Sequence, residues 1–148
     1  MKKLFVVIVA AASLIACKNN DKKTSSATLS QEERNKAIAD TANFTSIQWL
    51  DSTFKDLGKI KEGQVIEVTF RFKNSGTRNL IFSNVSASCG CTVPEKPEKP
   101  YIPGEEGEIK AKFDSKGKPH GPIRKEIYVM ANTNPVSQTL TFGVELTD

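Results

Sequence analysis

Between Val65 and Lys73 apolar and polar residues alternate. Ile66, Val68, Phe70 and Phe72 hold one parity, and Val65, Glu67, Thr69, Arg71 and Lys73 the other. Side chains of an extended chain point to opposite faces in turn, so this spacing predicts a strand with one face in a core and one in water. The same period governs the C-terminal stretch. There Val136, Gln138, Leu140, Phe142, Val144 and Leu146 alternate with Ser137, Thr139, Thr141, Gly143, Glu145 and Thr147, and Gln138 alone breaks the apolar set. Ile109, Ala111 and Phe113 form a shorter set, and Ile123, Ile127, Val129 and Ala131 share one face of the stretch from Ile123 to Asn132. Leu80, Ile81 and Phe82, followed by Val85 and Ala87, read as a further strand, and Ile47 with Trp49 as the first. Turn chemistry falls between the runs, at Lys61-Glu62-Gly63, Asn74-Ser75-Gly76, Pro103-Gly104, Lys116-Gly117-Lys118-Pro119 and Asn132-Thr133-Asn134-Pro135. About seven short strands in residues 44–148, without helical periodicity, predict an all-β domain: an immunoglobulin-like, two-sheet antiparallel β-sandwich. No distant pair of cysteines brackets Trp49, so the disulfide pin of antibody domains is not expected.

The first 43 residues follow another rule. Met1-Lys2-Lys3 precedes an unbroken run of thirteen apolar or small residues, Leu4 to Ala16. That is too short for the roughly 20 residues of a membrane helix, and a basic start, a short apolar run and a small residue before the cut describe a secretory signal peptide. Leu14-Ile15-Ala16-Cys17 resembles the bacterial lipobox. The resemblance implies cleavage after Ala16 and acylation of Cys17, so residues 1–16 are expected to be removed and the mature chain anchored to a membrane through lipidated Cys17. Two or three acyl chains make such an anchor stable. The expected location is the bacterial cell envelope, facing the periplasm or the cell surface. Residues 17–43, rich in Lys, Asn, Asp, Ser and Thr, read as a flexible linker. Ser30 and Glu33 have capping-box spacing ahead of Ala37-Ile38-Ala39, for which a frayed turn is the expectation.

The chain has 148 residues and a formal net charge of +4. Removing residues 1–16 takes Lys2 and Lys3 and no acid, which leaves 19 basic residues against 17 acidic ones. The remaining cations are dispersed rather than interleaved with aromatics, so no nucleic-acid partner is expected. His120 is the single histidine, and Glu105-Glu106 sits in a turn. With no base and orienter to assemble around a nucleophile, no catalytic residue, no enzyme activity and no cofactor are expected. An envelope protein or polymer is the expected partner, bound by strand addition at an exposed sheet edge.

Cys89-Gly90-Cys91-Thr92 is the one chemically loaded segment. If the strand simply continued from Ile81 to Val93, the two cysteines would share a face about 6.6 Å apart, near the upper limit for a disulfide, which favours free thiols. Gly90 alters that geometry by permitting a bulge or tight turn. A local disulfide or a pair of buried thiols, a redox-active dithiol, and a metal site taking soft Cu(I) all stand at this point. Pro94, Pro97, Pro100 and Pro103 recur at every third position, the polyproline II period, and read as a stiff connector.

Asn74-Ser75-Gly76, Leu80-Ile81-Phe82, Ser88-Cys89-Gly90-Cys91-Thr92, Ile102-Pro103-Gly104 and Ala131-Asn132-Thr133 follow one another in the order and spacing of a known family's landmarks. Phe54, Gly58, Ile60 and Glu62-Gly63 match its opening. In these respects residues from Ile47 to Leu146 resemble the bacterial DUF1573 family of domains of unknown function. The resemblance implies an immunoglobulin-like fold, a setting among exported and lipid-anchored proteins of Bacteroidota, and no established activity.

Overall fold

The period-two runs are strands in the computed structural model, which describes residues 28–148. Residues 1–16, expected to be a signal peptide, and Cys17 lie outside the described residues. The elements are helix α1 (Gln31–Ala39), a 3-10 turn at Thr41–Asn43, and strands β1 (Ile47–Trp49), β2 (Phe54–Lys61), β3 (Val65–Asn74), β4 (Phe82–Ala87), β5 (Thr92–Pro94), β6 (Glu106–Asp114), β7 (Gly121–Ala131) and β8 (Ser137–Thr147). Two four-stranded sheets pack face to face, ordered β1-β3-β6-β5 and β2-β8-β7-β4. The in-facing sets are those of the sequence. Val68, Phe70 and Phe72 of β3 with Ile109, Ala111 and Phe113 of β6 meet Ile127, Val129 and Ala131 of β7 and Leu140, Phe142, Val144 and Leu146 of β8, all buried. Each large side chain so placed contributes about 1.5–3 kcal/mol by leaving water. Phe72 centres the aromatic part, with edge-on contacts to Trp49, Phe82 and Tyr101 at centroid distances of 6.0, 4.9 and 4.9 Å.

Four expectations change. The described residues form eight strands, because β2 was hidden: Gly58 adopts φ of 71° and the register shifts between Asp56 and Lys59, which destroys the alternation that marks a strand. The sandwich is not wholly antiparallel, since β2 runs parallel to β8. The strand from Ile81 does not continue to Val93. It ends at Ala87, turns through Ser88–Cys91, and enters the other sheet as β5. Gln138, the lapse in the β8 pattern, accepts the Trp49 indole N–H at 2.6 Å and donates to Thr133 Oγ1, so its polarity fastens β1 across to β8.

The fourth change concerns the linker, 17–43, whose described part is not free. Ser30 and Glu33 complete the capping box, Ser30 Oγ accepting the Glu33 N–H and the Glu33 carboxylate accepting the Ser30 N–H. The helix has almost no apolar face and is instead pinned by Arg34, which is 1% exposed. A guanidinium has five N–H donors, and all five are used. Nε donates to the Leu29 carbonyl, Nη1 to those of Phe82 and Pro97, and Nη2 to the Glu98 carbonyl and carboxylate. The proline-spaced connector thus carries two of the four carbonyls that receive Arg34.

Two buried asparagines hold the neighbouring loops. Asn74, fully buried, accepts from Thr45 Oγ1 and the Gly76 N–H and donates to the carbonyls of Arg78 and Tyr101. Asn132 accepts the Ile81 N–H and donates to the carbonyls of Asn43 and Asn79. Gly76 is required where it stands, because a Cβ there would come within 2.2 Å of Thr45 Oγ1 and 2.5 Å of the Ser46 nitrogen.

Candidate functional site

Side chains occupy part of the sheet edges where strand addition was expected. Beyond the three-residue β1, Asp51 accepts the backbone N–H of Arg71 at 3.0 Å, and the Lys55 ammonium donates to the Thr69 carbonyl. Hydrogen bonds from the Arg71 side chain, then from its backbone and from Lys55, hold the Asp51 carboxyl well below the usual carboxylate range. On β2, Ser52 Oγ accepts from Phe54 N–H, Asp56 Oδ1 from Gly58 N–H and Gln64 Oε1 from Lys61 N–H. Gln31 and Arg34 of α1 take the carbonyls of Ser83 and Phe82 on β4. β5 is three residues long and ends in Pro94, which has no N–H to offer.

The Cys89-Gly90-Cys91 segment forms a tight turn between β4 and β5, closed by the Thr92 N–H donating to the Cys89 carbonyl at 3.1 Å. Turning shortens the Cα separation of Cys89 and Cys91 to 5.4 Å, and a disulfide joins them. This overturns the extended geometry that favoured free thiols. The turn is anchored from both sides, Ser88 N–H to the Glu126 carbonyl and Asp114 N–H to the Cys91 carbonyl. Both cysteines are half-buried, and Cys91 leans on the core cluster that includes Phe70. β4 starts at Phe82 beside α1 and runs about 20 Å before the turn, so the disulfide sits at the opposite end of the sandwich from the linker.

A bond with a sequence separation of 2 closes a loop of three residues. Chain entropy assigns such a loop only roughly 1.6 kcal/mol of stabilisation, modest beside the core. Among the described residues no group of three or more His, Cys, Asp or Glu gathers as a metal site. His120 instead lies 3.0 Å from the Asp148 carboxylate. A solvent-open groove of about 490 Å³ beside α1, lined in part by Glu33, Lys36, Asp40 and Arg78, is bordered by neither cysteine.

Thr92, next to the disulfide, is 3% exposed and its hydroxyl has no hydrogen-bond partner among the described residues. An unpaired buried hydroxyl costs about 1–3 kcal/mol. Thr92→Val keeps the branched shape that suits a strand and removes the orphan, so it is expected to raise the unfolding free energy by about 1 kcal/mol in urea denaturation. A loss of stability would place an unseen partner on that oxygen.

Comparison with solved structures gives the same architecture. A protein of unknown function from Porphyromonas gingivalis W83 aligns with a TM-score of 0.62 and 18% identity, over 72% of this chain and 49% of that one. PapD-like domain 7 of human CEP192 aligns with a TM-score of 0.57 and 10% identity, over 72% and 88%. The secreted serine protease VesC of Vibrio cholerae aligns with a TM-score of 0.51 and 11% identity, over 74% and 24%. The chain therefore spans about half of the Porphyromonas protein and a quarter of VesC, and at these identities the likeness is one of fold. No curated protein matches the sequence at a significant level. The model of the DUF1573 family, proteins of unknown function, covers residues 47–146, from the first strand to the last, and the chain belongs to that family.

Proposed function

We propose that this protein is a lipid-anchored, extracytoplasmic binding or structural module of the bacterial envelope, and not an enzyme. One observation carries the reading: the side chains richest in hydrogen bonds are spent on bracing. Arg34, Asn74 and Asn132 lock the linker and loops to the sandwich. Parts of the edges carry their own plugs, which leaves the solvated sheet faces and the loops as the broader surface for an envelope protein or polymer. The basic start, apolar run and lipobox-like Leu14-Ile15-Ala16-Cys17 support the anchor. In a bacterium fed an alkyne fatty acid, the full chain is expected to become labelled and to sediment with membranes, while Cys17→Ser loses both properties. Label retained by Cys17→Ser overturns the anchor. Photocrosslinking residues at the exposed Tyr128, Phe54 and Val93 are expected to give discrete adducts in the envelope, and their absence at every surface position tried overturns binding.

A second reading rests on the bond between Cys89 and Cys91: an envelope thiol-disulfide or copper-handling protein. Reduction would free two thiolates, which suit soft Cu(I). Thiol labelling followed by mass spectrometry, under graded reductant and with Cu(I), tests it. Cysteines that stay bonded and metal-free throughout overturn it.

A further inference from the structure

The nine glycines all fall among the described residues. Gly58, Gly63, Gly104, Gly117 and Gly121 have positive φ, where a side chain is strained. Gly76 and Gly107 lie so close to neighbours that a Cβ would strike them, whereas at Gly143 a Cβ would meet the Phe54 ring at 3.6 Å, an ordinary contact. Gly90 has neither reason. Its φ is outside the left-handed region and a Cβ built on it meets nothing within 4 Å. Apart from its chain neighbours Cys89 and Cys91, no described residue stands where a side chain on Gly90 would begin, so the flank of the disulfide is open there. A side chain there would cover that open flank.

We propose that the Cys89–Cys91 disulfide is an exchange site for protein cysteines, entered at the Cys89 sulfur across the open flank of Gly90. The proposal rests on the thiol-disulfide part of the second reading above and adds the substrate class, the sulfur attacked and the role of Gly90. Cys91 packs against the core cluster, whereas Cys89 stands outside that cluster, between the exposed Ser88 and Gly90. An approaching thiolate reaches Cys89 first. It forms a mixed disulfide with Cys89 Sγ as the Cys89–Cys91 bond breaks, and the electron pair leaves on Cys91 Sγ, which takes a proton from water. A second thiol of the same partner attacks the partner's own sulfur in the mixed disulfide and releases Cys89. The partner dithiol is oxidised by two electrons and Cys89–Cys91 is reduced by two. The turn keeps its place meanwhile, because hydrogen bonds from Ser88, Thr92 and Asp114 hold it whether or not the sulfurs are joined.

The test uses the oxidised full chain in detergent with two probes, 2-mercaptoethanol and a single-cysteine peptide of about 12 residues. Mixed disulfides are trapped by alkylation, mapped by mass spectrometry and timed, for wild type, Gly90→Ala and Gly90→Val. Both probes are expected to give adducts on Cys89. Gly90→Val is expected to slow the peptide about tenfold while leaving the small thiol within about twofold, with Gly90→Ala between, since access rather than thiol chemistry changes. Equal thermal midpoints for the three chains show that the fold is unaltered. Exchange that is indifferent to Gly90→Val, or adducts on Cys91, overturn this proposal and leave thiol exchange standing. No adduct with either probe overturns both.

Discussion

Asn74→Ala is expected to lower the unfolding free energy by about 4 kcal/mol and the thermal midpoint by roughly 15 °C. The side chain is fully buried and makes four hydrogen bonds. Its loss leaves the Thr45 hydroxyl, the Gly76 N–H and the Arg78 carbonyl without these partners, each at about 1–3 kcal/mol when water cannot reach it. The Tyr101 carbonyl suffers less, because it still accepts the Leu80 N–H at 2.8 Å. Against the 5–15 kcal/mol that a domain of this size typically possesses, that is a large fraction. Asn74→Asp separates hydrogen bonding from packing. It preserves the volume, removes both donors and buries a charge, so it is expected to cost at least as much as alanine. Chemical denaturation of the three chains measures this, and a loss under about 1 kcal/mol for Asn74→Ala would sink the bracing role.

Arg34→Ala is expected to act locally. It removes all five donors at once, and the nine-residue α1 has no other fully buried side chain and is too short to persist alone. Charge-assisted bonds to backbone carbonyls, some of them buried, are together worth about 3 kcal/mol after exchange with water, so amide protection from Glu33 to Asn43 is expected to fall about 100-fold. The sandwich does not depend on the helix for its core, so the thermal midpoint is expected to move by only about 3 °C. Hydrogen exchange and tryptic cleavage after Lys36 report the release. Arg34→Lys keeps the charge with three donors instead of five and is expected to fall between. Global unfolding without prior loss of protection in α1 would show that the helix and sandwich form one cooperative unit.

The two residues differ in how they announced themselves. Asn74 shares its parity with Phe70 and Phe72, so its place at the inward end of an apolar row was a visible sign of a buried polar group, although the Asn74-Ser75-Gly76 motif reads first as a turn. Asn132 carries no such mark, since its parity opposes that of Val129 and Ala131. Arg34 was illegible for a different reason. A polar segment cannot bury its own apolar area, and composition alone therefore reads as a tether. Its partners, the carbonyls of Phe82, Pro97 and Glu98, are backbone atoms from elements about 50 to 60 residues away, and backbone carbonyls carry no signature in sequence. The cysteines were a middle case. Their spacing allowed a disulfide only if the chain turned, and the turn depends on where β4 leaves one sheet for the other.

Local alternation determined the all-β class, the identity of the core and the extents of the long strands, because burial of one strand face is written directly into neighbouring residues. The lipobox-like segment and the opposite characters of residues 1–16 and 44–148 were likewise readable from composition and order. Tertiary structure alone decided the parallel pairing of β2 with β8, the side-chain plugs along the edges, the docking of α1 and the joining of Cys89 to Cys91. The first three are relations between groups distant in the chain or involving backbone atoms common to all residues, and the disulfide depends on the turn by which the chain leaves one sheet for the other. Their energies depend on geometry that only the assembled sandwich supplies.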